Sequence, residues 1–222
     1  MMDRNDAFSV DVFWSFRSPF CYLMLDRLIE ISTNFQVAIN IRPLYPMAVR
    51  DPNFFKSVNP KYRKYHLQDS QRVADYHKIP YRRPVPDPIV QDMETNEIAA
   101  EQPHIRHLTL LGAAAQTQGA ALAFVDKVSR LLWDGSVDGW DEGMHLIDAI
   151  DAAGLNGRAL VADVNVDPDR FDAVIAENQT AHDAADHWGV PLMTFRGETF
   201  YGQDRVDLLL WRMMQAGLPV QN

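Results

Sequence analysis

Phe8, Val10, Val12, Trp14 and Phe16 fall on alternate positions, and a few residues later Leu23, Leu25, Leu28, Ile29 and Ile31 recur at roughly helical spacing. The first pattern is that of a strand with one face in a core, and the second is that of an amphipathic helix. The change is made inside Ser18-Pro19-Phe20-Cys21-Tyr22. Serine is a favoured N-cap, and proline suits the first helical position, where its missing N–H costs nothing and its φ is already helical. A helix start carries unpaired N–H groups and the positive end of the helix dipole. An anion held above Ser18, a thiolate among them, is therefore stabilised without a lysine nearby. The plainer reading, in which Ser18 only caps a buried helix, fits the same residues.

After this helix, Phe35, Val37, Ile39 and Ile41 alternate with polar or small residues, which predicts a second strand ended by Pro43 and Pro46. Strand, helix and strand in about forty residues is the size of a βαβ unit with parallel strands and a right-handed crossover. The same economy returns at the far end. Gly189-Val190-Pro191 leads into a short strand over Leu192 to Phe195, Arg196-Gly197-Glu198 turns, and Thr199 to Tyr201 forms a second strand. Asp204 is then expected to cap a final helix carrying Val206, Leu209 and Met213. Neither end buries its strands alone. Joined edge to edge they make an α/β fold with a four-stranded mixed sheet covered by helices.

The middle reads differently. Val49 to Asn59 is loop-like, with turn signals at Asp51-Pro52-Asn53 and Asn59-Pro60. Helices are expected over Tyr62 to His77, Asn96 to Gly112, Ala113 to Trp133, Trp140 to Ala153 and Pro168 to Trp188, the last capped by Asp167. The expected division is one discontinuous domain over 1–59 and 189–222, interrupted by an all-helical domain over 60–188. Between the helices, the proline-rich run Tyr81 to Pro88 must be an ordered loop. Its Arg82 and Arg83 either hold an anionic substrate group in a guanidinium fork or are a solvated pair.

Composition excludes several classes. With 21 basic and 30 acidic residues the formal charge is −9, which argues against nucleic acid or an anionic membrane surface as main partner. Cys21 is the sole cysteine, so no intrachain disulfide forms. The start, Met1 to Asp6, lacks the basic and apolar regions of a signal peptide, and no run approaches the roughly eighteen apolar residues of a spanning helix, so a cytoplasmic protein is expected. No metal site is expected either. His104 and His107 have Pro103 beside them and no third ligand, and His182 and His187 are too far apart on a helix to face one another.

Taken together, Ser18-Pro19-Phe20-Cys21-Tyr22, Asp69-x-x-Arg72 followed by Ile79-Pro80, Gly189-Val190-Pro191, and Tyr201-Gly202-Gln203-Asp204-Arg205 resemble the 2-hydroxychromene-2-carboxylate isomerases and the related kappa-class glutathione transferases. Both belong to the wider DsbA-like thioredoxin superfamily. The likeness runs from about Val10 to Met214, and it implies a thioredoxin-like domain interrupted by a helical one. It also implies glutathione as cofactor: Ser18 donates to its sulfur and keeps it a thiolate. By the same resemblance Pro191 is expected to be cis, with the main chain of Val190 pairing with the cysteinyl backbone like an added strand. The resemblance further implies that amides near Gln203 receive the γ-glutamyl carboxylate, that Asp204 meets its ammonium, and that Asn53 makes a polar contact from the preceding loop. The family's lysine for the glycyl end is replaced by Tyr62, flanked by Lys61 and Lys64. Either Lys61 substitutes or glutathione is held less firmly.

Cys21 stands where many isomerases have serine, while Ser18 holds the position of the nucleophile in Cys-x-x-Cys oxidoreductases. Cys21 is then either a first-turn thiol of lowered pKa or a small buried apolar residue. The implied activity is a glutathione-dependent isomerase or transferase acting on an electrophilic aromatic or conjugated-carbonyl substrate, with Tyr81, Arg82 and Arg83 as candidate donors to the substrate oxygen. Relatives are commonly homodimers. The alternatives are a monothiol thiol-disulfide oxidoreductase using Cys21 and a non-enzymatic interaction module.

Overall fold

The computed structural model describes residues 8–59, 61–92, 94–95 and 97–221. Pro60, expected in a turn, Asn96, expected to start a helix, and the Met1 to Asp6 stretch lie outside them.

The chain begins with β1 (Ser9–Trp14), α1 (Pro19–Leu23), α2 (Leu25–Asn34) and β2 (Ala38–Pro43). Two short helices follow, α3 (Met47–Arg50) and α4 (Phe54–Ser57), where the sequence suggested only a loop. Then come α5 (Lys61–His77), α6 (Pro103–Thr117), α7 (Ala121–Trp133), α8 (His145–Ala152), α9 (Gly157–Val166) and α10 (Pro168–Ala184). The hairpin β3 (Leu192–Phe195) and β4 (Glu198–Tyr201), a 3-10 turn (Gln203–Arg205) and α11 (Val206–Gln215) complete the fold. The sheet order is β2-β1-β3-β4: β1 runs parallel to β2 and antiparallel to β3, which pairs antiparallel with β4. This is the four-stranded mixed sheet expected from joining the two ends, in the thioredoxin-like arrangement the resemblance implies.

β1 buries one face throughout and the other at its C-terminal end. Val10, Val12 and Trp14 enter the main core, and Phe13 on the other face packs in a small cluster with Leu44 and Leu192. The strand is tied to the helices by the Trp133 indole, which donates to the Phe16 carbonyl at 2.9 Å. Burying an aromatic side chain of this size contributes roughly 2–3 kcal/mol, so the junction after β1 is held rigidly from beneath.

Several boundaries differ from the sequence expectation, each for a local reason. Gly112 does not end a helix. α6 runs through it, and a Cβ there would stand 2.9 Å from the Phe16 ring and 3.0 Å from Pro43. The glycine serves close approach of α6 to the strand ends. Trp140 lies in a turn before α8, buried, with its indole donating to the Pro86 carbonyl at 2.8 Å. The helix α9 was not foreseen; Asn156 caps it by accepting from the Ala159 N–H. α10 is capped by Asp167 as expected, but it ends at Ala184, before Asp186 takes a φ of 55°. Asp204 does not cap the last helix: it sits inside the 3-10 turn, its carboxylate 2.8 Å from Arg205. The first helix breaks at Met24, and the second strand begins only at Ala38, with Phe35 making an isolated bridge to Val220.

Candidate functional site

The site is built upward from Ser18. Its N–H donates to the Ser15 carbonyl at 3.0 Å, and its backbone at φ −89°, ψ 115° is extended, as an N-cap requires. The hydroxyl oxygen accepts from the Cys21 N–H at 3.3 Å. That contact uses a lone pair and leaves the hydroxyl hydrogen to be donated elsewhere. Ser18 faces a cavity of about 250 Å³.

Four segments enclose this cavity. Pro46, Met47 and Arg50 come from the region of α3, Phe54 and Phe55 from α4, Tyr62, His66 and Asp69 from one face of α5, and Trp188, Gly189, Val190 and Tyr201 from the C-terminal unit. Aromatic rings meet around it: Phe54 lies 5.2 Å from Trp188, Trp188 6.0 Å from Tyr201, and Phe20 5.0 Å edge-to-face from His66. The Val190–Pro191 peptide bond is cis.

A further side is cationic. Arg17 reaches Asp87 through Nε at 3.0 Å and Nη2 at 3.2 Å, and Arg83 meets the same carboxylate at 2.8 Å. Burial pushes the Asp87 carboxyl up, but Arg17, the Ile89 N–H and Arg83 outweigh it and hold the group below its ordinary value. Arg63 and Arg83 also line the cavity, so a chain of net charge −9 gathers guanidinium groups at this one place. Their field reaches His66. Burial first, then Arg83 and Arg17, push its imidazole down to about 4 against the opposing pull of Asp69. It is neutral at physiological pH.

The predicted residues divide accordingly. Ser18, Val190 and Arg83 meet at the cavity, with Tyr62 in the place of the family lysine. Lys61 and Asn53 are exposed and lie outside its lining, although their neighbours Tyr62 and Phe54 belong to it. Tyr81 is stacked on Trp133 at 5.8 Å and donates to Ser70 at 3.0 Å, and Arg82 pairs with Asp138 at 2.5 Å; neither lines the cavity. Gln203 and Asp204 line a separate, more open cleft of about 350 Å³ with Arg27, Arg72 and Tyr76. There Arg27 donates to the Gln203 carbonyl at 2.8 Å, and the buried Gln203 Oε1 has no partner. Cys21 is 0% exposed, and burial pushes its thiol up to about 12 despite hydrogen bonds from Ser15 and Ser18. Of the two readings of Cys21, the geometry goes against a first-turn thiol of lowered pKa: the helix start cannot compensate for complete desolvation.

Arg17, Arg50, His66, Trp188 and Tyr201 were not foreseen as site residues. His66 had a usable signal, since it lies four residues after Tyr62 on one helical face. Arg50 and Trp188 had none, because they meet only in the folded chain. Among the described residues no cluster of three or more metal-ligating side chains occurs, and no helix is long and apolar enough to cross a membrane.

The family model of the DSBA-like thioredoxin domain matches residues 9–213. The chain belongs to this family. No curated protein matches the sequence. Among solved structures, this DSBA-like protein is similar to a 2-hydroxychromene-2-carboxylate isomerase, at 23% identity and a TM-score of 0.64, over 94% of this chain and 96% of the other. It is also similar to a probable DsbA oxidoreductase from Streptomyces coelicolor, at 15% identity and a TM-score of 0.65, over 94% and 89% of the two chains. A third similar structure is the cytosolic disulfide reductase DsbM from Pseudomonas aeruginosa with GSH, at 12% identity and a TM-score of 0.58, over 94% and 100%. At these identities the likeness is one of fold.

Proposed function

We propose that this DSBA-like protein binds glutathione with its sulfur at Ser18 and acts as a glutathione-dependent isomerase or transferase on an electrophilic, conjugated substrate. The observation that carries the reading is the contrast between two side chains three residues apart. Ser18 lines the cavity, where its hydroxyl can donate, whereas the protein's own thiol, on Cys21, is sealed in the core and pushed up to about 12. A nucleophilic sulfur at this place has to come from outside.

The residues present fit such a ligand at its sulfur and backbone. Ser18 has a hydrogen to donate, and Val190 stands at the cavity edge beside the cis bond. The γ-glutamyl contacts expected of Gln203 and Asp204 would be made in the second cleft, which both residues line. When bound, glutathione supplies a thiolate that adds reversibly to a conjugated carbon and lets the former double bond rotate. Ser18 holds that sulfur deprotonated by donating to it. Arg83 and Arg17, already fixed by Asp87, face negative charge on the substrate oxygen, and the aromatic wall excludes water and accepts a planar ring. The neutral His66 adds a donor or acceptor without adding charge.

The reading includes a division of labour in which residues 60–188 form an inserted helical domain that shapes the substrate side, over a thioredoxin-like domain formed by 1–59 and 189–222. It also takes the protein to be cytoplasmic and homodimeric. The alternative, a monothiol thiol-disulfide oxidoreductase, is favoured by the fold it shares with DsbM and requires Cys21 to become accessible. Turnover of a conjugated keto acid with and without glutathione, in the wild type, Ser18→Ala and Cys21→Ser, tests the choice. Loss confined to Ser18→Ala supports the borrowed thiolate. Loss confined to Cys21→Ser overturns it.

A further inference from the structure

Three side chains converge on the main chain that leads into Val190. Arg50 Nη2 donates to the Trp188 carbonyl at 2.9 Å, the Gly189 N–H donates to His187 Nδ1 at 3.0 Å, and His182 Nε2 lies 3.0 Å from the Gly189 carbonyl. The hydrogens follow from the partners. A carbonyl only accepts, so His182 carries its hydrogen on Nε2; an amide N–H only donates, so His187 Nδ1 carries a lone pair. The His187 ring is stacked on Tyr201 with 4.0 Å between centroids, and Tyr201 presses so closely on Gly189 that a Cβ would stand 2.5 Å from its Cε2. Backbone pairing reaches back to Pro191, whose carbonyl accepts from the Gly202 N–H at 3.0 Å, and ahead of it side chains hold Trp188 and Gly189.

The geometry points to His182 and His187 as positioning residues that hold the Gly189–Val190 main chain as the edge on which a thiol peptide's backbone docks, with His187 making that edge acid-labile. The inference rests on the glutathione reading above. The two imidazoles answer differently to a proton. On His182 the added hydrogen goes to Nδ1, which is buried without a hydrogen-bond partner, and Nε2 keeps donating to Gly189. On His187 the added hydrogen goes to Nδ1 itself, where it faces the Gly189 N–H, and two donors cannot stay at 3.0 Å.

The ionisable groups facing His187 are Asp186 beside it and Tyr201 from β4, whose phenol burial pushes up to about 12 and which is therefore neutral. Those facing His182 are Asp183 on its own helix, at 3.8 Å, and Arg50 from α3; Phe13 from β1 packs on its ring and does not titrate. Burial holds both imidazoles below their ordinary 6.5, against Asp186 at His187 and against the Gly189 carbonyl and Asp183 at His182. The clamp is therefore closed at neutral pH and opens only in acid.

A side chain accepting from the N–H two residues on has the geometry of an Asx turn, so asparagine at 187 can supply the same acceptor without titrating. Phenylalanine keeps the ring and removes the acceptor. The probe is S-methylglutathione, which has no thiol to titrate. Its dissociation constant is measured by calorimetry at about pH 7.5 and about pH 5, with the Gly189 amide of ligand-free protein followed by NMR over the same range. For the wild type, binding is expected to weaken about twofold or more as the pH falls through the His187 titration, and the Gly189 amide to titrate with it. His187→Asn should bind as tightly at both pH values, with a flat amide, and His187→Phe weakly at both. A wild-type constant indifferent to pH, or a His187→Asn variant that weakens like the wild type, overturns the proposal. If neither glutathione nor its S-methyl form binds at neutral pH, the glutathione reading fails. The amide then judges the clamp separately: a Gly189 signal that titrates supports it, and one indifferent to pH overturns it.

Discussion

The cavity over Ser18 and the cleft at Gln203 are fed by the same stretch of chain, since Tyr201 lines one and Gln203 the other, yet they are built differently. In the cavity, charges are paired and partly buried: the Arg17–Asp87 side chains are 13% and 28% exposed. In the cleft the carboxylates lie in water, Asp204 being 59% and Asp207 87% exposed, and of the Arg27–Asp207 pair only Arg27, at 18%, is largely covered. Interactions of the first kind keep much of their strength, whereas exposed pairs contribute about 0–1 kcal/mol and weaken with salt. The protonation state of a bound sulfur should therefore be decided at Ser18, and the far end of a peptide ligand only steadied at Asp204.

Ser18→Ala is the largest way to break that contrast. Removing one preorganised donor should lower glutathione-dependent turnover about 10²-fold, while the lost cap costs about 1 kcal/mol of stability. Thermal unfolding checks the second figure. Asp204→Ala should raise the glutathione dissociation constant by less than about tenfold, and the difference should shrink in high salt. If Asp204→Ala proves as damaging as Ser18→Ala, the cleft is more than a steadying surface. His66→Gln sharpens the account of the cavity's electrostatics. The folded imidazole titrates at about 4 and the unfolded one at its ordinary 6.5. Wild-type stability from this group is thus present above 6.5 and lost as pH falls to about 4. Denaturant midpoints between these values should fall less for His66→Gln. The smallest effect on turnover belongs to Cys21→Ala, which should leave it nearly unchanged. In the wild type, the buried thiol should resist alkylation until the chain unfolds, and its contribution to stability, full below 9.0, is lost as pH rises toward about 12.

The sheet was legible because its signals are local. Alternation in Val10, Val12 and Trp14, the hairpin around Arg196-Gly197, and the serine and proline at the junction all act within a few residues. What was misread depended on tertiary packing. Gly112 looks like a helix breaker until Phe16 is laid against it, and Trp140 looks helical until its indole finds Pro86. The site follows the same rule. Ser18 and Val190 announce themselves by motif, but Arg82 and Arg83 are neighbours in sequence that diverge in space, one to Asp138 and the other to Asp87. Cys21 was ambiguous because its position in a first helical turn and its burial push the thiol in opposite directions, and only the folded core shows which is larger.

The account's central claim is that the Ser18 hydroxyl keeps a borrowed sulfur ionised. The most direct measurement is a pH titration of thiolate ultraviolet absorbance for glutathione bound to the wild type and to Ser18→Ala. The account predicts a bound thiol that titrates well below the free value of about 8.5 in the wild type and returns toward it in the variant. A bound thiol that titrates at the free value in both would contradict it.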